Sequence, residues 1–116
     1  MYSDSLETKW QHILFRLKTD FGRKPNLQSL LFMIGVQELG LMRTEFSKEE
    51  KQDLMHVAVC ALLEPLGYFE FSHKDEQGWP HYKIGNIPQP ENLEQQENLL
   101  KQQIVLYFED IFEATT

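Results

Sequence analysis

The sequence predicts a mainly α fold: a compact four-helix domain with a two-stranded β-hairpin between helices 3 and 4, residues 1–116 forming one helical domain. Three observations predict it. Apolar side chains recur at helical spacing in four separate stretches. The period then drops to two after Pro65, between the third and fourth of those stretches. Glycine, proline and capping residues stand at the joints.

The first helix starts from Asp4 and Glu7, spaced as a capping box. Leu6, Trp10, Ile13, Leu14, Leu17 and Phe21 fall within a sector about 100° wide, so this helix has one buried face. Gly22 ends it. Pro25-Asn26 opens the second helix, Leu27 to Leu39, which Gly40 closes at a C′ position. That helix is apolar on several sides, and Gly35 marks a close helix crossing.

The third helix is the most informative stretch. Ser47 and Glu50 form a capping box, and an apolar run from Leu54 to Leu63 lasts until Pro65 and Gly67 stop it. Its apolar side chains cover most of the circumference, which predicts a central helix with the other helices around it. One sector alone is polar: Glu49, Asp53, His56, Cys60 and Glu64.

Tyr68 to Ser72 and Trp79 to Ile84 read as short strands, with residues 73–78 as the turn and Gly78 suited to a left-handed position. Pro80 confines its strand to a sheet edge. Residues 86–90 are a linker. The last helix runs from about Asn92 to Phe112 with Leu93, Leu100, Ile104, Tyr107, Phe108 and Ile111 on one face. Leu99 and Leu106 make a second, weaker apolar strip, widened on the other flank by Val105 and Phe112.

Composition narrows the function classes. The net charge is −7, and it is uneven: +1 over residues 1–46, −3 over 47–90 and −5 over 91–116. Such a balance repels phosphate backbones and anionic lipid surfaces, so neither nucleic acid nor membrane is an expected partner. The one basic cluster, Arg16, Lys18, Arg23 and Lys24, complements the dipole at the end of the first helix. The lone Cys60 excludes an intramolecular disulfide and favours a reducing compartment, hence a cytoplasmic location. Residues 1–7 carry no basic region and no apolar core, so no secretory signal is expected there.

Asp53, His56, Cys60 and Glu64 lie on one stripe, and all four residue types can bind transition metals. A single helix stripe rarely completes a ligand shell, and no second Cys/His pair follows at ligand spacing; no metal or cofactor is assigned. Glu38 is in register with Leu27, Leu31 and Ile34, which predicts a buried carboxylate needing a partner. His56 is the favoured one, with Arg43 or Tyr82 as others. Glu38, His56, Cys60 and Asp53 are therefore the candidate polar cluster. Cys60 with His56 one turn earlier has the residue types of a nucleophile and base. A mid-helix thiol amid apolar neighbours is instead expected to be inert, and no catalytic residue is assigned.

The hairpin carries Tyr68, Phe69, Phe71, Trp79 and Tyr82; by alternation Phe69 and Phe71 share one face and Tyr68 the other with Glu70, which leaves at least one ring outside the core unless the hairpin folds its rings onto the helices as a lid. Trp79 and His81, with Leu99 and Leu106 of the last helix, are the candidate partner surface, since aromatic anchors dominate binding energy.

Two resemblances bear on these readings. The element order, three helices, a hairpin and a helix, resembles winged-helix DNA-binding domains, but the would-be recognition helix starts with Glu49, Glu50 and Asp53, which disfavours DNA. The stretches Leu30-Leu-Phe-Met-Ile-Gly-Val-Gln-Glu-Leu-Gly40 and Asp53-Leu-Met-His-Val-Ala-Val-Cys60, with Gly78-Trp79-Pro80-His81, resemble a small bacterial family of uncharacterised proteins over nearly the whole chain. That resemblance implies no activity. The leading expectation is a cytoplasmic, non-enzymatic protein-interaction domain, with self-association as a homodimer one form of it. The alternative is a small-ligand or metal-binding domain centred on Glu38, His56 and Cys60, and a winged-helix-like regulator is third.

Overall fold

Ser5 opens the first helix. The computed structural model describes residues 5–114, and side chains over residues 5–112. Its elements in chain order are helix α1 (Leu6–Phe21), helix α2 (Leu27–Leu39), helix α3 (Lys48–Leu63), a 3-10 turn (Glu64–Leu66), strands β1 (Phe69–Lys74) and β2 (Pro80–Ile84), and helix α4 (Leu93–Ala114). The fold is thus mainly α, four helices with an antiparallel hairpin between the third and fourth. No helix among the described residues is long and apolar enough to cross a membrane. The chain forms two compact units, one of residues up to Leu27 with those from Glu91 onward, the other Gln28–Pro90.

In the first unit, the cap of α1 is Ser5, whose Oγ accepts the Thr8 backbone N–H at 3.1 Å. The expected cap, Asp4, lies outside the described residues. Gly22 closes α1 at φ 72°, as its position after Phe21 requires. α1 and α4 run side by side in the same direction: the Lys101 ammonium lies 3.9 Å from Glu7 and 5.5 Å from the centre of the Trp10 ring, whereas the Arg16 guanidinium stands 3.8 Å over Phe112. Trp10, Ile13, Leu14 and Leu17 of α1 and Leu100, Ile104, Val105 and Phe108 of α4 are buried.

Three expectations for α4 need correction. Leu93 is 74% exposed, because it precedes by two turns the level of Lys101, where α1 begins, and has no α1 side chain beside it. Ile111, also assigned to the core face, is exposed. Val105, expected on an exposed flank, is buried, and Phe112 is half-buried beneath Arg16. Leu106 remains exposed and Leu99 is half-buried.

The second unit is built on the α2–α3 crossing. Gly35 abuts the backbone of Leu54, so closely that a Cβ on residue 35 would stand 2.0 Å from the Leu54 carbonyl oxygen. The absence of a side chain is what allows this approach. Leu30, Leu31, Ile34 and Leu39 of α2 and Leu54, Val57, Ala58, Cys60, Leu62 and Leu63 of α3 are buried. The capping box of α3 is complete: Ser47 Oγ accepts the Glu50 N–H at 3.1 Å, and Glu50 Oε1 accepts the Ser47 N–H at 2.9 Å. Arg43 then grips both Glu50 oxygens at 2.8 and 2.9 Å.

The hairpin pairs Phe69 with Ile84, Glu70 with Lys83 and Phe71 with Tyr82. A bulge at Ser72 shifts the register, so His73 meets His81 and Lys74 meets Pro80. Gly78 closes the turn at φ 88°, the left-handed conformation expected of it. The end of α3 is tied to this hairpin, since a Glu64 carboxylate oxygen accepts the Phe71 backbone N–H at 2.6 Å. Glu64 thereby leaves the polar stripe and serves the strand.

Candidate functional site

A cleft of about 430 Å³ opens between α3 and the hairpin, wholly within the second unit. One wall is the polar sector of α3: Glu50, Asp53, His56 and Cys60, with Val57 beside them. Their spacing along the helix, three to four residues at each step, puts them on one side of it. The other wall is the turn and first residues of β2: Asp75, Gln77, Trp79, Pro80, His81 and Tyr82. Its volume lies in the usual range of ligand sites, about 300–1,000 Å³.

The two walls are tied down by different contacts. On the α3 side, the Arg43 guanidinium and the Ser47 N–H hold the Glu50 carboxyl down to about 2, so it is ionised throughout the physiological range. On the hairpin side, Asp75 organises the turn. Its Oδ1 accepts the backbone N–H groups of Gln77 at 2.9 Å and Trp79 at 3.0 Å, and its Oδ2 bonds His81 Nε2 at 2.9 Å. The His81 contact first, then the Trp79 N–H, keeps the Asp75 carboxyl below its ordinary range. His81 also stacks flat on His73, ring centres 4.8 Å apart and planes 3° from parallel. Trp79 is thus fixed at its backbone by a charge-assisted bond, with its ring half-buried in the cleft wall.

On the floor, Cys60 Sγ lies 3.5 Å from His56 Nε2. Cys60 is only 1% exposed, and burial pushes its thiol up to about 11. His56 itself is exposed and meets the edge of Phe69, ring centres 6.3 Å apart at 85°. Tyr82 is raised to about 12, by burial first and then by the negative fields of Glu38 and Glu64.

Of the candidate polar cluster, the structure brings Asp53, His56 and Cys60 together in this cleft and leaves Glu38 out of its lining. Glu38 is exposed, makes no hydrogen bond or ion pair among the described residues, and reaches Tyr82 only through its field. The expectation that it is buried against His56 is corrected. Leu31 and Ile34 do face inward, but Glu38 is on the last turn of α2, where a long side chain can reach water, and an unpaired buried carboxylate would cost several kcal/mol. His56 pairs with Cys60 instead, and Arg43 with Glu50. Among the described residues no three His, Cys, Asp or Glu side chains gather as a metal shell. The candidate partner surface divides between the units: Trp79 and His81 line the cleft of the second, and Leu99 and Leu106 lie on α4 of the first.

Sequence reasoning missed Glu50, Asp75 and Gln77 as parts of a site. An Asp four residues before Trp79 and three before Gly78 carries the signal of an Asx turn, which would have marked Asp75 as the organiser of the loop. No family model matches the chain, and no curated protein and no solved structure matches it.

Proposed function

We propose that the chain is a cytoplasmic, non-enzymatic protein-interaction domain that receives its partner in the cleft between α3 and the hairpin. The observation that carries this reading is the joint lining of the cleft by a half-buried Trp79, with Pro80 and Tyr82, and by the polar stripe of α3. A tryptophan anchor in a preformed recess with polar groups opposite is the usual composition of a binding hot spot. Chemistry at the same place has less support. Burial pushes the Cys60 thiol up to about 11, so it is protonated at neutral pH and makes a poor nucleophile. The net charge of −7 argues against nucleic acid as the partner.

A photo-crosslinking residue at Gln77, inside the cleft, should trap a partner that the same residue at Phe15, on the first unit, does not. Trp79→Ala should cut that crosslink about tenfold or more, as expected of a hot-spot truncation. Equal crosslinking from both positions, or yields unchanged by Trp79→Ala, would remove the cleft as the contact surface.

A second copy of the chain is one partner that α4 supports, because Leu106 is 54% and Ile111 40% exposed on it. Symmetric association would bury such residues against their own copies. Light scattering should then show a dimer that Leu106→Lys converts to a folded monomer; a monomeric wild-type protein at high concentration would exclude self-association.

A further inference from the structure

We infer that the cleft selects a basic peptide segment, with Asp53 as counter-ion to one lysine or arginine side chain; the inference rests on the interaction reading above and names the partner's chemistry. Three carboxylates line the cleft, and two are already committed. Glu50 is held by Arg43 and the Ser47 N–H, and Asp75 by Gln77, Trp79 and His81. Asp53 makes no hydrogen bond or ion pair among the described residues, although it faces the same space. Among the described residues no lysine or arginine lines the cleft. The lining is therefore anionic, with one carboxylate unspent.

The remaining walls suit the rest of a basic side chain. Trp79, Pro80 and Val57 offer apolar surface for its methylene stem. Trp79 and Tyr82 add aromatic rings to the lining, and the face of such a ring attracts cations and not anions. A second feature points to a peptide and not to a free amine. Leu41 lies against the hairpin turn, within van der Waals reach of a side chain placed at Gly78, and Leu41 and its neighbour Met42 are both exposed. The exposed apolar surface of Leu41 beside the turn would be covered by residues flanking the basic one, and a small amine would leave it in water.

The test uses the full chain, isotopically labelled for amide and indole NMR, and two blocked peptides: one carrying a single lysine between leucines, and a twin with norleucine in place of lysine. The lysine peptide should perturb Asp53, His56, Gly78 and the Trp79 indole, and bind about tenfold tighter than its twin at low salt, a preference that high salt erodes. Asp53→Asn should abolish the preference while leaving the spectrum of the free protein intact, and Glu49→Gln, an exposed α3 position outside the cleft, should keep it. Equal affinity for the two peptides, a preference that survives Asp53→Asn, or methylammonium binding as tightly as the lysine peptide would overturn the inference. If any of these occurs while the Gln77 crosslink still depends on Trp79, the cleft remains an interaction surface and only its charge selectivity falls; loss of that dependence as well removes both.

Discussion

Replacing Gly35 with alanine should destabilise the α2–α3 unit by about 3 kcal/mol or more, at or beyond the upper end of core overpacking. Two effects of opposite sign compete. Alanine is favoured over glycine inside a helix by about 1 kcal/mol, and it lowers the entropy of the unfolded chain. Against this, the new Cβ would lie 2.0 Å from the Leu54 carbonyl oxygen, 2.6 Å from its carbon and 3.1 Å from its Cα. All three are backbone atoms, so no change of rotamer relieves the overlap. The helices would have to separate by more than an ångström, which opens gaps around the fully buried Leu30, Ile34 and Leu54. With total stabilities of about 5–15 kcal/mol typical of domains, the steric term outweighs the propensity gain. Urea denaturation followed by the circular dichroism of the helices measures the sum. A Gly35→Ala variant as stable as wild type, or more stable, would mean that α2 and α3 do not cross at this point.

Much of this crossing is legible in the sequence, because its signals are local. The Ser47/Glu50 capping box, the closing Gly22 and Gly40, the left-handed Gly78 and the small residue at 35 each express a backbone requirement that only a few residue types meet. What failed depended on neighbours. A helical wheel puts Glu38 on the side of Leu31 and Ile34, yet it does not say that in the last turn of α2 the buried residue is Leu39, while Glu38 reaches water. The exposure of Leu93 likewise follows from where α1 starts beside α4, a relation between elements far apart in the chain. The cleft was half visible: Asp53, His56 and Cys60 share a stripe by periodicity, and Trp79 and His81 stand out by residue type. That the hairpin turn folds over that stripe is a tertiary fact. So is the pairing of Arg43 with Glu50 and of Asp75 with His81, which decides which carboxylate in the cleft is left unpaired.

Ala58→Asp should unfold the protein near neutral pH and do less harm in acid. Ala58 is fully buried in the middle of α3, flanked along the helix by Leu54 and Leu62, both buried. No polar or charged residue is buried among the described residues, so a carboxylate there has no buried polar side chain to pair with. Two costs follow. The larger side chain overpacks a site that holds a single methyl, worth about 1–3 kcal/mol. The carboxylate must also either lose its hydration or hold its proton, and the second course is the cheaper. Burial therefore raises the carboxyl of residue 58 in the folded state above its unfolded value of about 3.9. The folded state then binds the proton more tightly than the unfolded one, and stability falls as pH rises above that unfolded value, until the raised folded value is passed. Ala58→Asn, equal in size and unable to ionise, supplies the overpacking and the amide burial without the pH dependence. The gap in urea midpoint between the Asp and Asn variants should accordingly widen from about pH 4 to pH 7. Were the two variants to track each other across that interval, or the Asp variant to keep the wild-type midpoint, position 58 would be in contact with water and α3 would not be the interior helix that its apolar circumference demands.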